Sequence, residues 1–347
     1  MRAVRWHGAG DVRIEDVPPP PAPGPGEVRV RVAWCGLCGS DVHEYRYGPV
    51  RTPIEPHPVT GRSAPLIIGH EISGWVESAG TGVTAPEPGA LVALNALLPC
   101  GRCEPCLRGD VQLCLTLGHL GQSADGGLAE LVTVPASMAV TAPPGMAPDL
   151  VALAEPFAVA IRAIRHAGAL SEQACVVLGA GSIGLAAAII LDAGGNRVTV
   201  LDVVEERLRH AARLGLRARQ VADALGGGLR APVVLECSGA ASAGGTAVRL
   251  AAAGGVIVIV GLPGEPSTLD LADVALREIT IAGSMSHLAD ADMAPAIAVL
   301  AAHAERALGI VTSRVPLAET VTGGLGVLAG PGRHRQAKIL VRVADGG

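Results

Sequence analysis

The sequence predicts an α/β protein in two parts, a β-rich portion followed by a doubly wound parallel sheet. Three observations predict it. From about Ala158, short apolar runs alternate with Ala/Leu/Arg stretches of helical length, the β-α-β rhythm of a parallel sheet. The first 150 residues instead read as strand and loop, punctuated by Gly and Pro. The length of 347 residues exceeds what one hydrophobic core usually serves.

Taken in order, Val28 to Val32 alternates apolar and charged residues as a half-buried strand does, and Pro18 to Pro25 is a proline-rich connection. Strands are expected at 175–179, 197–201, 232–237, 255–260 and 279–282, with helices at 182–193, 205–214 and 242–252. From about Ser284 the texture is mixed, and it closes on a strand-like AKILVRV. Ala174 to Leu191 carries no charge, and the stretch is near the lower length limit of a membrane span. Gly179, Gly181 and Gly184 interrupt it, so a buried strand, a tight turn and a helix explain it better.

Composition narrows the function. Apolar residues make up 49% and charged residues 17%, which suits a packed chain and not a disordered one. Net charge is −5 with no run of like charges, which argues against binding to nucleic acid or a membrane surface. No apolar leader follows the N-terminus MRAVRWHGAGDVRIEDV, so a cytoplasmic location is expected, where clustered thiols hold metal more often than they pair. Aromatic residues are 2%, and Lys338 is the only lysine in an arginine-rich chain. Both oddities read as the mark of G+C-rich codons.

Three motifs carry chemistry. Gly179-Ala180-Gly181-Ser182-Ile183-Gly184 follows a strand and opens a helix, where free N–H groups and the helix dipole favour a pyrophosphate. Asp202 ends the next strand after this turn and its helix, where an acid accepts bonds from ribose hydroxyls and repels a 2′-phosphate. NAD(H) is therefore expected over NADP(H). Arg207, a turn into the next helix, is the dissenting charge and joins the cofactor set. Second, Cys100, Cys103, Cys106 and Cys114 have the spacing of a closed, structural tetrahedral zinc site. Third, Cys38, His70, Glu71 and Glu155 offer a thiolate, an imidazole and two carboxylates, a set able to hold a catalytic zinc with an exchangeable position. Sequence alone does not bring these four together.

CGSDVH, GHE, CGRCEPCLRGDVQLC, DGGLAELVTVP, EPFAVAIRA, GAGSIG and AKILV occur in family order, and the chain resembles the zinc-dependent medium-chain alcohol dehydrogenases over nearly its whole length. The long insertion ending EPHPVTGRSAPLIIGHE makes it similar to the 2,3-butanediol dehydrogenase branch. The resemblance implies a GroES-like β-rich catalytic domain (1–157 and 284–347) around a Rossmann coenzyme domain (158–283). It implies two zinc ions per chain and NAD(H), and it makes Cys38, His70 and Glu155 the catalytic-zinc ligands, with Glu71 beside the metal as a transient ligand or orienting group. Ser40 would sit next to the reacting oxygen and His43 would complete a proton relay. A small-molecule alcohol or ketone, such as a vicinal diol or hydroxyketone, is the implied substrate, and a homodimer or homotetramer the implied assembly.

Cys35, Cys175 and Cys237 read as packed thiols, His57 as a loop residue, and Asp41 as a structural hydrogen-bond partner near the metal. His119 borders the pocket or simply packs, and Met285 and His287 lie just past the last Rossmann strand, where the family often touches the cofactor or a neighbouring subunit. Ala90-Leu91 and Ser182 stand where the family usually has an Asp-Arg pair and a proline. The scarcity of aromatics leaves room for a bulkier polyol or biosynthetic alcohol. A non-catalytic NAD-binding sensor is the alternative of a different class.

Overall fold

The computed structural model describes residues 1–168 and 171–344. The strand Glu27–Leu37 is the spine of the first part. Val28, Val30 and Val32 are fully buried while Arg29 and Arg31 lie between them on the other face, the period of two that a half-covered strand demands. It pairs antiparallel with Glu71–Ala79, and this register sets Gly36 opposite Glu71. Its other edge takes Lys338–Arg342 antiparallel, with Ile339 opposite Leu37. The chain's last strand therefore returns to a sheet begun near residue 27, and a seven-stranded sheet results.

The second sheet is parallel and six-stranded. In chain order its strands are Ala174–Leu178, Arg197–Asp202, Arg217–Gln220, Ala231–Glu236, Ala251–Ile259 and Thr280–Gly283, and they lie in the order 3-2-1-4-5-6. The order reverses beside the first strand, and ligands of such sheets bind outside the strand ends at that switch point. The expected helix 182–193 is present as Ser182–Ala193. It is apolar nearly all round because the sheet and the helix Ala154–His166 both pack against it. Among the described residues no helix is long and apolar enough to cross a membrane.

Two local expectations change. The strand Arg217–Gln220 was not expected, because RARQ has no apolar signal. It lies at the sheet edge, paired only to Arg197–Asp202, where polar side chains meet solvent. The expected helix 242–252 ends at Leu250, and Ala251–Ile259 is strand, longer than 255–260. Alanine's helical propensity yields there to pairing with Ala231–Glu236.

Candidate active site

The helix Gly39–Tyr47 begins where the spine strand ends, with Cys38 as its N-cap. The Asp41 carboxylate accepts the Cys38 N–H at 2.9 Å and fixes the turn. The Cys38 side chain thus sits at the N-terminus of this helix. Glu71 opens the neighbouring strand Glu71–Ala79, and His70 immediately precedes it. Cys38, His70 and Glu71 offer one sulfur, one nitrogen and one oxygen that all lie within 4.8 Å of one another.

The imidazole of His70 is oriented from both sides. Asp41 Oδ1 lies 3.4 Å from Nδ1, and Ser40 Oγ lies 3.5 Å from Nε2. A carboxylate on one ring nitrogen leaves the other for a metal, the usual second partner of a metal-bound histidine. Burial alone would lower the His70 pKa. The Asp41 charge and hydrogen bond outweigh it and lift the imidazole well above the ordinary histidine range.

Glu71 is almost fully buried, and burial raises its pKa against the lowering effect of Lys338. Lys338 Nζ donates to both carboxylate oxygens, at 2.5 and 2.6 Å, and to Leu37 O at 3.0 Å. The pair needs Gly36: a Cβ there would stand 1.8 Å from Glu71 Oε2. Glu155, in the first turn of Ala154–His166, stands outside the 4.8 Å group. Its Oε1 is 3.6 Å from His287 Nδ1, and His287 Nε2 donates to Asn95 Oδ1 at 3.0 Å. Burial would raise the Glu155 pKa, but the His287 hydrogen bond and charge bring it down to about 2.

Ser40 Oγ accepts from Gln122 Nε2 at 3.2 Å. His43, one turn further along the helix, is exposed and stacks obliquely on Tyr47 at 5.1 Å. His119 packs edge-on to His70 at 5.0 Å, and burial drives its pKa to about 3. His57 lies in a loop, where its Nδ1 accepts from Val59 N and Thr60 N. Cys35 and Cys175 are buried, as expected of packed thiols.

Sequence reasoning missed Lys338, Asn95 and Gln122 as site residues. Lys338 alone carried a signal, as the single lysine of the chain.

The four clustered cysteines form a separate lobe. Cys103 Sγ is 3.4 Å from Cys106 Sγ, Cys106 Sγ is 4.0 Å from Cys100 Sγ, and Cys100 N–H points to Cys114 Sγ at 3.3 Å. All four sulfurs fall within 4.8 Å of one another. Backbone N–H groups of Arg102 and Cys103 lower the Cys100 thiol to about 6, which prepares a thiolate. Four sulfurs this close suit a soft tetrahedral metal with no open position.

The glycine-rich turn has three distinct glycines. Gly179 has φ +105, open only to glycine. A Cβ on Gly184 would lie 1.9 Å from Gly179 O, so strand and helix pack too closely for any side chain. A Cβ on Gly181 would meet nothing within 4 Å, which leaves the helix N-terminus open to a pyrophosphate. Ser182 and Ile183 are the first helical residues. Asp202 is buried, and its carboxylate accepts from Ala180 N at 2.8 Å and Val204 N at 2.9 Å. Arg207 stands 3.8 Å from it.

Comparison with known proteins bears on the family and the fold. Residues 24–144 match the model of the alcohol dehydrogenase GroES-like domain, and residues 182–302 that of the zinc-binding dehydrogenases. The chain is 31% identical over 356 aligned positions to (R,R)-butanediol dehydrogenase of Bacillus subtilis (strain 168), covering 99% of each. It superposes on a crystal structure of 2R,3R-butanediol dehydrogenase from Bacillus subtilis with a TM-score of 0.89 at 30% identity, over 99% of each chain. An Escherichia coli CFT073 alcohol dehydrogenase complexed with NADH superposes with a TM-score of 0.87 at 27% identity, again over 99% of each chain.

Proposed function

This chain belongs to the zinc-binding alcohol dehydrogenase family, and on that premise we propose that it is an NAD(H)-linked secondary alcohol dehydrogenase acting on a vicinal diol or hydroxyketone. The observation that carries the reading is the convergence of Cys38, His70 and Glu71 within 4.8 Å, with Ser40 beside the His70 ring. The donors suit zinc in chemistry: Cys38 offers a thiolate, His70 an imidazole, and Glu71 or Glu155 a carboxylate. When bound, zinc polarises the substrate oxygen and NAD(H) supplies or accepts the hydride.

Cys38, His70 and Glu155 are the resting ligands in this reading. Glu71 is the reserve carboxylate, because Lys338 already engages both its oxygens. Asp41, beside His70 Nδ1, would leave Nε2 as the ring nitrogen free to hold the ion. Ser40 Oγ takes the proton of the substrate hydroxyl as it passes its own proton on, with Gln122 holding the serine in place. His43, exposed one turn away, releases that proton to solvent. The turn from Gly179 to Gly184 seats the pyrophosphate, and Asp202 and Arg207 face the adenosine ribose. Cys100, Cys103, Cys106 and Cys114 hold a second, structural zinc.

The polar neighbours of Ser40 and His70, namely Gln122 and His119, favour a substrate with more than one oxygen. That also keeps a polyol as a second reading. The domains we assign are 1–157 with 284–347, and 158–283. Eight unpaired thiols suit a reducing, cytoplasmic setting, and a homodimer or homotetramer is the assembly we expect.

A panel of diols, hydroxyketones, polyols and cyclic alcohols with NAD tests the substrate. Turnover of 2,3-butanediol or acetoin supports the first reading, and turnover of polyols alone selects the second. Metal analysis accompanies it: two zinc ions per chain are expected. Retention of only the cysteine-lobe zinc would favour a non-catalytic NAD-binding protein.

A further inference from the structure

The turn 119–124 runs beside the candidate site and is held stiffly. His119 O accepts from Gln122 N, Ser123 N and Ala124 N, and the Ser123 hydroxyl accepts from His119 N at 2.7 Å. Gly121, at φ +72, rests on Gly69, and a Cβ there would run into the Gly69 backbone. The turn is thereby pressed onto the residue that precedes His70. Two of its side chains reach the site. The His119 ring meets the His70 ring edge-on at 5.0 Å, and Gln122 Nε2 reaches Ser40 Oγ at 3.2 Å. The two residues are only 9% and 7% exposed, so their polar atoms have little access to bulk water.

Each offers an acceptor. His119 Nδ1 lies 2.9 Å from Leu120 O, and a carbonyl only accepts, so Nδ1 carries the ring proton. Burial keeps the ring neutral, which leaves a lone pair on Nε2. Gln122 turns its NH2 to Ser40, and its Oε1 is the second acceptor. Among the described residues neither His119 Nε2 nor Gln122 Oε1 has a hydrogen-bond partner. Acceptors in so closed a place cost free energy until a donor meets them, and a donor that arrives on the substrate finds them already oriented.

We propose that His119 and Gln122 determine specificity by receiving a second hydroxyl of the substrate, carried on the carbon next to the one that reacts. The inference rests on the secondary alcohol dehydrogenase reading and adds the sense of the hydrogen bond to it. Gln122 touches Ser40, and Ser40 faces the reacting oxygen in that reading, so an oxygen that meets Gln122 belongs to the adjacent carbon. That oxygen must donate. A free hydroxyl fits, whereas an ether or carbonyl oxygen sets one acceptor against another, and a bare carbon leaves both acceptors unpaired.

Steady-state kinetics on the zinc-loaded, full-length protein with NAD test this. The substrates are 2,3-butanediol, 3-methoxy-2-butanol and 2-butanol, which differ only at the neighbouring carbon. The wild type should favour the diol over both others by at least ~100-fold in kcat/KM. His119→Phe fills similar space without an acceptor and should cut that ratio at least ~10-fold, while His119→Gln returns an acceptor near Nε2 and should keep most of it. A ratio unchanged in His119→Phe, with all three alcohols slowed alike, would mark a merely structural residue and overturn the assignment. Ring-nitrogen NMR of the histidine-labelled protein supplies a readout apart from turnover. The signal lost in His119→Phe should be that of an Nδ1–H tautomer, and an Nε2–H tautomer would overturn the acceptor. A polyol and its deoxy analogue replace the series if polyols alone react. Equal turnover of 2-butanol and the diol overturns the inference and leaves an alcohol dehydrogenase. No turnover of any alcohol with both zinc ions bound overturns the underlying reading and the inference with it.

Discussion

Lys338, the only lysine of the chain, is buried against Glu71, its Nζ 2.5 and 2.6 Å from the two carboxylate oxygens. Codon bias explains why the other cations are arginine, but it does not explain why this one is not. A compact ammonium carries three donors, and here they serve the two carboxylate oxygens and Leu37 O.

Lys338→Met is therefore expected to destabilise the protein by about 3–5 kcal/mol, because it strands a buried carboxylate. Adding Glu71→Gln should restore most of that stability, since an absent charge needs no partner. Urea unfolding of the metal-free protein measures both. Equal loss in the single and double variants would show that the ion pair is not the cause.

His287 Nε2 is held by Asn95, and its Nδ1 faces Glu155. Outer partners of metal ligands typically set affinity by about 10–100-fold. His287→Ala should weaken zinc at the Cys38 site by that order while zinc in the cysteine lobe is retained. Competition with a chromogenic chelator reads the two ions separately. Unchanged release of the weaker ion would remove His287 from this role.

Cys106→Ser should lower the zinc content from two to one per chain. NADH binding should survive, because the glycine-rich turn lies on the other sheet. The lobe around Glu104–Arg108 should become protease-sensitive, since none of that short helix is buried. Loss of both ions on this one substitution would count against two independent sites.

His119 gives a pH dependence of definite sign. Burial, and then the His70 charge, hold its folded pKa at about 3, below the usual ~6.5. The unfolded chain takes up this proton and the folded chain does not. The contribution is thus intact above about 6.5, and stability is lost progressively as pH falls towards about 3. His119→Asn should flatten that part of the stability–pH curve. An unaltered slope between pH 6.5 and 4 would exclude His119 as its source.

Much of the fold was legible because its signals are local. Gly179 and Gly184 answer to the backbone of the turn itself, and the four-cysteine lobe closes within the short segment from Cys100 to Cys114. The edge strand Arg217–Gln220 was not legible, since only its neighbour Arg197–Asp202 makes it a strand. The helix expected to reach 252 failed at Ala251 for the same reason.

The sequence by itself determined the kinds of chemistry present: two zinc-capable donor sets, a dinucleotide turn with an acid after the second strand, and a β-rich part beside a parallel sheet. Tertiary structure alone decided which of these residues meet. Lys338 reaches Glu71 because the last strand of the chain pairs with the spine strand, which lies near its beginning. His287 reaches Glu155 and Asn95, both far earlier in the chain, because separate elements pack there. Contacts of that separation leave no periodicity or spacing in the sequence, since they follow from how sheets and helices stack and not from any local preference of the chain.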